Sequence, residues 1–147
     1  MSTRKECGAR SLIELPPQLW TGSPRRLAPS WKTILDEYKA TIAPFIANHT
    51  IVGIFMGDEL VCGGMAVSNF TAVSSALRAE FGPSLLLYTN ECTGGLNQMT
   101  SSDLAYLDLF SIDIYDNRND DGVSFLHRHQ VVSVVTAIPT TADRPDD

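Results

Sequence analysis

Three apolar runs in this sequence stop at acids. GIFMGDE ends in Asp58 and Glu59, LLLYTNE ends in Asn90 and Glu91, and SIDIYD carries Asp113, Tyr115 and Asp116. Carboxylates gathered on one surface repel each other, and partial burial adds a desolvation cost, so at least one should titrate above its ordinary range. A protonated acid beside an ionised one is the pair that cleaves glycosidic bonds. One gives its proton to the leaving oxygen, and the other attacks the sugar or activates water. Retaining and inverting chemistry separate the two groups by about 5 Å and about 6.5–9.5 Å, and strands about 4.8 Å apart reach either spacing. Glu59 and Glu91 are the leading catalytic candidates. Asp58, Asn90, Asp113, Tyr115 and Asp116 surround them as substrate contacts.

Whether these acids meet depends on the elements that carry them. SLIEL (11–15) reads as a strand closed by Pro16-Pro17, and QLWTGSPRRLAPS as a loop. From Trp31 the period changes: Trp31, Ile34, Leu35, Tyr38, Ile42, Phe45 and Ile46 recur as on one face of a helix. Ser30 suits its start and Asn48 its end, with Pro44 expected to kink it or end it early. TIVGIFM (50–56), SLLLYT (84–89) and FSIDIYD (110–116) read as buried strands. Between the first two lies a helix capped by Asn69, with Phe70, Val73, Leu77 and Phe81 on one face and Gly82-Pro83 as its stop. CTGGLNQMTSS reads as loop, DLAYLDLF as a short helix or turn, and QVVSVVTAIP (130–139) as one more strand. Apolar strands alternating with helices predict a parallel sheet, whose C-terminal strand ends all lie on one rim. The interval from Glu59 to Glu91 is close to the roughly 31 residues per unit of a ~250-residue barrel. The shorter interval to Asp113 suits a degenerate helix.

Composition narrows the function classes. The chain has 147 residues, 44% hydrophobic and 19% charged, as expected of a single globular domain. Eleven basic against 17 acidic residues leave a net charge of −6, which repels nucleic acid. No apolar run is long enough to span a membrane, and MSTRKECGARSLIELPP lacks the apolar core of a signal peptide, which predicts a cytoplasmic chain. Cys7, Cys62 and Cys92 are odd in number and have no metal-type spacing, so neither a disulfide framework nor a structural zinc site is expected. Cys92 beside Glu91 makes a poor nucleophile, because the carboxylate disfavours its thiolate. His127 and His129 flank Arg128 without a third ligand and read as a solvated loop. The Gly63-Gly64 and Gly94-Gly95 pairs read as loop punctuation outside any nucleotide fingerprint, and no cofactor is expected. Metal-dependent hydrolysis with Asp58, Glu59, Glu91 and Asp113 as oxygen ligands has no histidine support. Trp31 lies on the apolar helix face, whereas Trp20, in a loop after a strand, is a candidate platform for a sugar ring.

GIFMGDEL, LLYTNEC and FSIDIYD resemble consecutive strands of a glycoside hydrolase-type (β/α)8, or TIM, barrel. Asn90-Glu91 is similar to the acid/base motif of the large retaining glycosidase clan. That resemblance implies Glu91 as proton donor and Asn90 as a partner for a sugar hydroxyl. IDIYD is similar to the Tyr-Asp strand of chitinase-like barrels, which implies that Tyr115 and Asp116 sit near the reacting sugar. The resemblance spans residues 11–116, with 117–147 left as a tail. The expected fold is α/β, a partial TIM-barrel-like parallel sheet amounting to about half of such a barrel. An open half-barrel exposes strand edges, so a piece of a longer enzyme, self-association, or a smaller open sheet are the ways to cover them; a piece is favoured. The expected activity is hydrolysis of O-glycosyl bonds on a carbohydrate substrate. The alternative is a non-catalytic carbohydrate-binding or interaction domain.

Overall fold

The computed structural model describes residues 10–115 and 127–130. Strand β1 (Ser11–Glu14) leads through a single 3-10 turn (Pro17–Leu19) into a small ribbon, β2 (Trp20–Thr21) and β3 (Arg26–Leu27). Helix α1 (Trp31–Ala47) and strand β4 (Ile51–Asp58) follow, then α2 (Val67–Phe81) and β5 (Leu86–Cys92). Two short helical turns, α3 (Thr93–Leu96) and α4 (Ser101–Leu104), precede β6 (Leu109–Tyr115) and β7 (His127–Gln130). Among the described residues no helix is long and apolar enough to cross a membrane.

The main sheet has the order β1-β4-β5-β6-β7, and its first four strands are all parallel. Successive parallel strands are therefore neighbours, with no reversal of order. A doubly wound sheet reverses at its switch point, whereas a barrel winds one way. Right-handed crossovers then put α1 and α2 on the same face. The fold is α/β and partly TIM-barrel-like, as the alternation predicts, and the sheet does not close among the described residues.

Burial along β5 marks the two faces. Leu87, Thr89 and Glu91 are fully buried, while Tyr88, Asn90 and Cys92 between them are partly exposed. Leu87 of the buried row joins Ile54 and Met56 of β4 and Phe70, Val73 and Leu77 of α2 in one core. The other row faces the side that a closed barrel would enclose. Leu12, paired with Gly53 on that side, is 52% exposed.

Several local expectations change. α1 runs past Pro44 to Ala47 and is capped by Asn48, because the Pro44 carbonyl still accepts from the Asn48 N–H at 3.2 Å. Phe45, at the edge of its apolar stripe, is 47% exposed. α2 begins at Val67, ahead of Asn69, with no side-chain cap, and stops at Gly82 with φ 65° as glycine permits. The stretch after β5 is not plain loop, since it contains α3. His127 and His129 lie in β7, antiparallel to β6, rather than in a solvated loop; the pairing gives β6's free edge its backbone partners. Beyond Gln130, the strand expected over 130–139 lies outside the described residues.

Phe70 is buried at the centre of the helix–sheet layer. Phe70→Ala should therefore cost about 3–5 kcal/mol, the usual range for an emptied aromatic core position. The urea midpoint at constant slope measures it.

Candidate functional site

Asp58 reaches the rim through one extra residue. Phe55 pairs with Tyr88, but the next pair is Asp58 with Asn90, so three residues of β4 span two of β5. Such a bulge re-aims the side chains after it. Gly57 makes the bulge possible: its φ of 143° suits glycine, and a Cβ there would press on Leu60. Without the extra residue Gly57, which offers no side chain, would stand opposite Asn90.

The Asn90 amide then bridges two strands. Its Nδ2 donates to Asp58 Oδ1 and to Asp113 Oδ2, both at 2.7 Å. Its Oδ1 accepts from Ser111 Oγ at 2.6 Å, and Ser111 Oγ shares a 2.7 Å hydrogen bond with Tyr88 OH. Rotating the amide would set its oxygen against two carboxylates, so one orientation is imposed. Tyr88 also stacks on Phe55, with ring centroids 5.1 Å apart. Asp58, Asn90, Ser111 and Asp113 thus form one polar network beside an aromatic pair.

Glu91 faces the other way. It is fully buried, and its Oε1 and Oε2 accept from the Val61 and Cys62 N–H groups at 2.9 and 3.0 Å. Burial raises its pKa; the Val61 and Cys62 N–H groups pull against that, and the charge of Glu59 adds to the rise. The expected raised acid of the rim is therefore found here, beneath the loop and out of reach of a ligand. Gly95 leaves room for it, since a Cβ at that position would collide with Glu91 Oε2 and crowd the Cys62 nitrogen at 2.9 Å.

Glu59 begins the covering loop in the left-handed region, at φ 48°. A non-glycine residue pays roughly 1–2 kcal/mol there, and two backbone hydrogen bonds hold it: its N–H to Asn90 O at 2.8 Å, and Gly63 N–H to its own carbonyl at 2.7 Å. The loop is closed by a disulfide between Cys62 and Cys92. This corrects the expectation of unpaired cysteines, because the parallel pairing that gathers the acids gathers the residues just after them too. Among the described residues Glu59, Cys62 and Cys92 form a group of three metal-capable side chains.

Of the candidate contacts, Asp58, Asn90 and Asp113 are brought together. Tyr115 ends β6, and its side chain and Asp116 lie outside the described residues. Trp20 packs against the core at the start of the ribbon. The ribbon's turn touches the rim instead: Arg25 reaches the Asp58 carbonyl at 3.5 Å, and a Cβ at Gly64 would strike Pro24. Ser111 and Tyr88 were not among the candidates. Their signal was alternation, since they share the face of Asn90.

No protein-family model, curated protein or solved structure matches this chain.

The folded chain holds the Glu91 proton more tightly than the unfolded chain does. Its contribution to stability is fully present below the ordinary value of 4.5 and is lost as pH rises through the raised folded value. Glu91→Gln removes that dependence. It should also cost about 1–3 kcal/mol at acid pH, where an amide NH2 would oppose a backbone N–H. Urea unfolding of both proteins between about pH 4 and about pH 8 should show the wild-type advantage shrinking as pH rises; a constant difference would contradict it.

Proposed function

We propose that this chain is glycoside hydrolase-like, with a rim that binds carbohydrate and a carboxylate pair, Asp58 and Asp113, that brackets an O-glycosyl bond. The observation that supports this most directly is the single Asn90 amide held between the two acids at 2.7 Å each. Their bonded oxygens lie within twice that distance of each other, which is below the ~6.5–9.5 Å of inverting pairs and leaves the retaining arrangement. In such a pair one carboxylic acid protonates the leaving oxygen while the other carboxylate attacks the anomeric carbon. Water then releases the sugar from the covalent intermediate.

A sugar presents hydroxyls along its edge and C–H groups on its face. The rim offers carboxylate acceptors for the first, and the Phe55–Tyr88 stack beside them offers apolar surface for the second. Glu59 follows Asp58 in the chain, and its carboxylate lies with Cys62 of the covering loop and Cys92. Glu91, with both oxygens occupied by backbone N–H groups, positions the loop that carries Glu59 rather than donating a proton to substrate.

A panel of aryl glycosides, with saturation-transfer NMR on the matching free sugars, tests this. Wild-type chain should bind at least one sugar and turn over its aryl glycoside, and Asp58→Asn and Asp113→Asn should each lower turnover by about 10²–10⁴-fold. Binding without turnover in the wild type would make the chain a carbohydrate-binding domain without chemistry. Turnover unchanged in both variants, or no sugar binding at all, would remove the proposal.

A further inference from the structure

We propose that Cys62, Cys92 and Glu59 form a redox-exchangeable site for a thiophilic divalent cation, of which Zn²⁺ is the type. Both sulfurs and a carboxylate oxygen of Glu59 lie within 4.8 Å of one another. Zinc holds thiolates at about 2.3 Å and carboxylate oxygens at about 2.0–2.2 Å, so donors sharing one ion stand roughly 3.5–4.5 Å apart. The Glu59 carboxylate is already within reach of both sulfurs, which are bonded to each other and can take up that spacing around an ion only once the bond between them is broken.

Reduction by a dithiol exchanges one state for the other. The S–S bond breaks, and the dithiol supplies two electrons and two protons and becomes a disulfide itself. Cys62 and Cys92 are left as thiols. A divalent ion then binds both as thiolates, and their two protons leave to solvent.

The backbone holds the cysteines in place without the disulfide. The Cys62 N–H is bonded to Glu91 Oε2 at 3.0 Å, and Cys92 is paired with Asp113 in the parallel ladder. The two Cα atoms, 5.8 Å apart, are therefore set by these separate anchors. The Gly95 N–H donates to Cys92 Sγ at 3.4 Å, a bond that favours thiolate over thiol and orients a ligating sulfur. Sulfur, sulfur and carboxylate leave the fourth tetrahedral position open, as catalytic zinc sites do.

The test uses the full chain carrying Cys7→Ser, which removes the third thiol. It is compared oxidised and after phosphine reduction under anaerobic conditions. Zn²⁺ affinity is read by competition with a chromogenic chelator, and sulfur ligation by the thiolate-to-metal absorption of Co²⁺. The reduced chain should bind one equivalent with that band, and the oxidised chain should show neither. Cys62→Ser should abolish the band. Glu59→Gln, which leaves both cysteines intact, should weaken binding by at least the roughly 10–100-fold that an outer-shell partner alone is worth. Far-UV circular dichroism checks that each variant is folded. Equal affinity in both redox states would assign the ion to the rim acids and overturn the proposal. So would a reduced chain that takes up no equivalent, or a Glu59→Gln variant with unchanged affinity.

Discussion

A carboxylate cut off from water must find its donors inside the protein, and Glu91 finds them in the backbone of the loop after β4. Hydrogen bonds to a charged group are worth about 1.5–3 kcal/mol each, and leaving such a group unmet costs more. That loop therefore cannot lift away without breaking both hydrogen bonds to Glu91 and opening the core beneath it to water. Its closure fixes Glu59, Cys62 and the Gly63-Gly64 turn, and Gly64 in turn packs against Pro24 in the turn of the ribbon. The disulfide joins the same two segments covalently. Polar and covalent ties thus hold one short stretch of chain over the end of β5.

The rim beside it is rigid for a different reason. Asn90 spends both amide hydrogens and its oxygen on neighbours, so the spacing of the two carboxylates is already set. The free energy of organising them is spent in folding, which is what preorganisation means for a binding or catalytic surface. Arg78 gives the lower end of the sheet comparable order. It bonds the carbonyls of Tyr106, Gly82 and Leu85 and the Asp108 carboxylate, which in turn accepts from the Leu87 N–H at 2.7 Å. The start of β5 and the start of β6 are thereby fixed to α2.

Much of this was legible from residue order. Alternating apolar runs gave the parallel strands, and the acids at their ends pointed to one rim with Asp58, Asn90 and Asp113 on it. What escaped was the third dimension at each strand end. Asn90 and Glu91 are adjacent, so in an extended strand they must point oppositely. Only one of the two can therefore lie on the rim, and the buried one is Glu91. The bulge at Gly57 was likewise hidden, because one extra residue changes a facing pair without changing composition. The disulfide is not legible in cysteine spacing along the chain, because it is the sheet that sets position 62 beside 92. Ser111 and Tyr88 are ordinary strand residues until the register places them next to Asn90. His127 and His129 looked polar enough for a loop, and the open edge of β6 outweighed that preference.

The alternation in β5 has a consequence for how the chain finds its pairing. A slip of one residue would turn Asn90 inward and Glu91 outward, and would carry Leu87 and Thr89 to the wet face. The buried amide would then lack its carboxylates, and the loop would lose the acid that anchors it. Each error penalises the same misalignment. The Asn-Glu dipeptide, whatever it binds, therefore works as a key that admits β5 to the sheet in one register only.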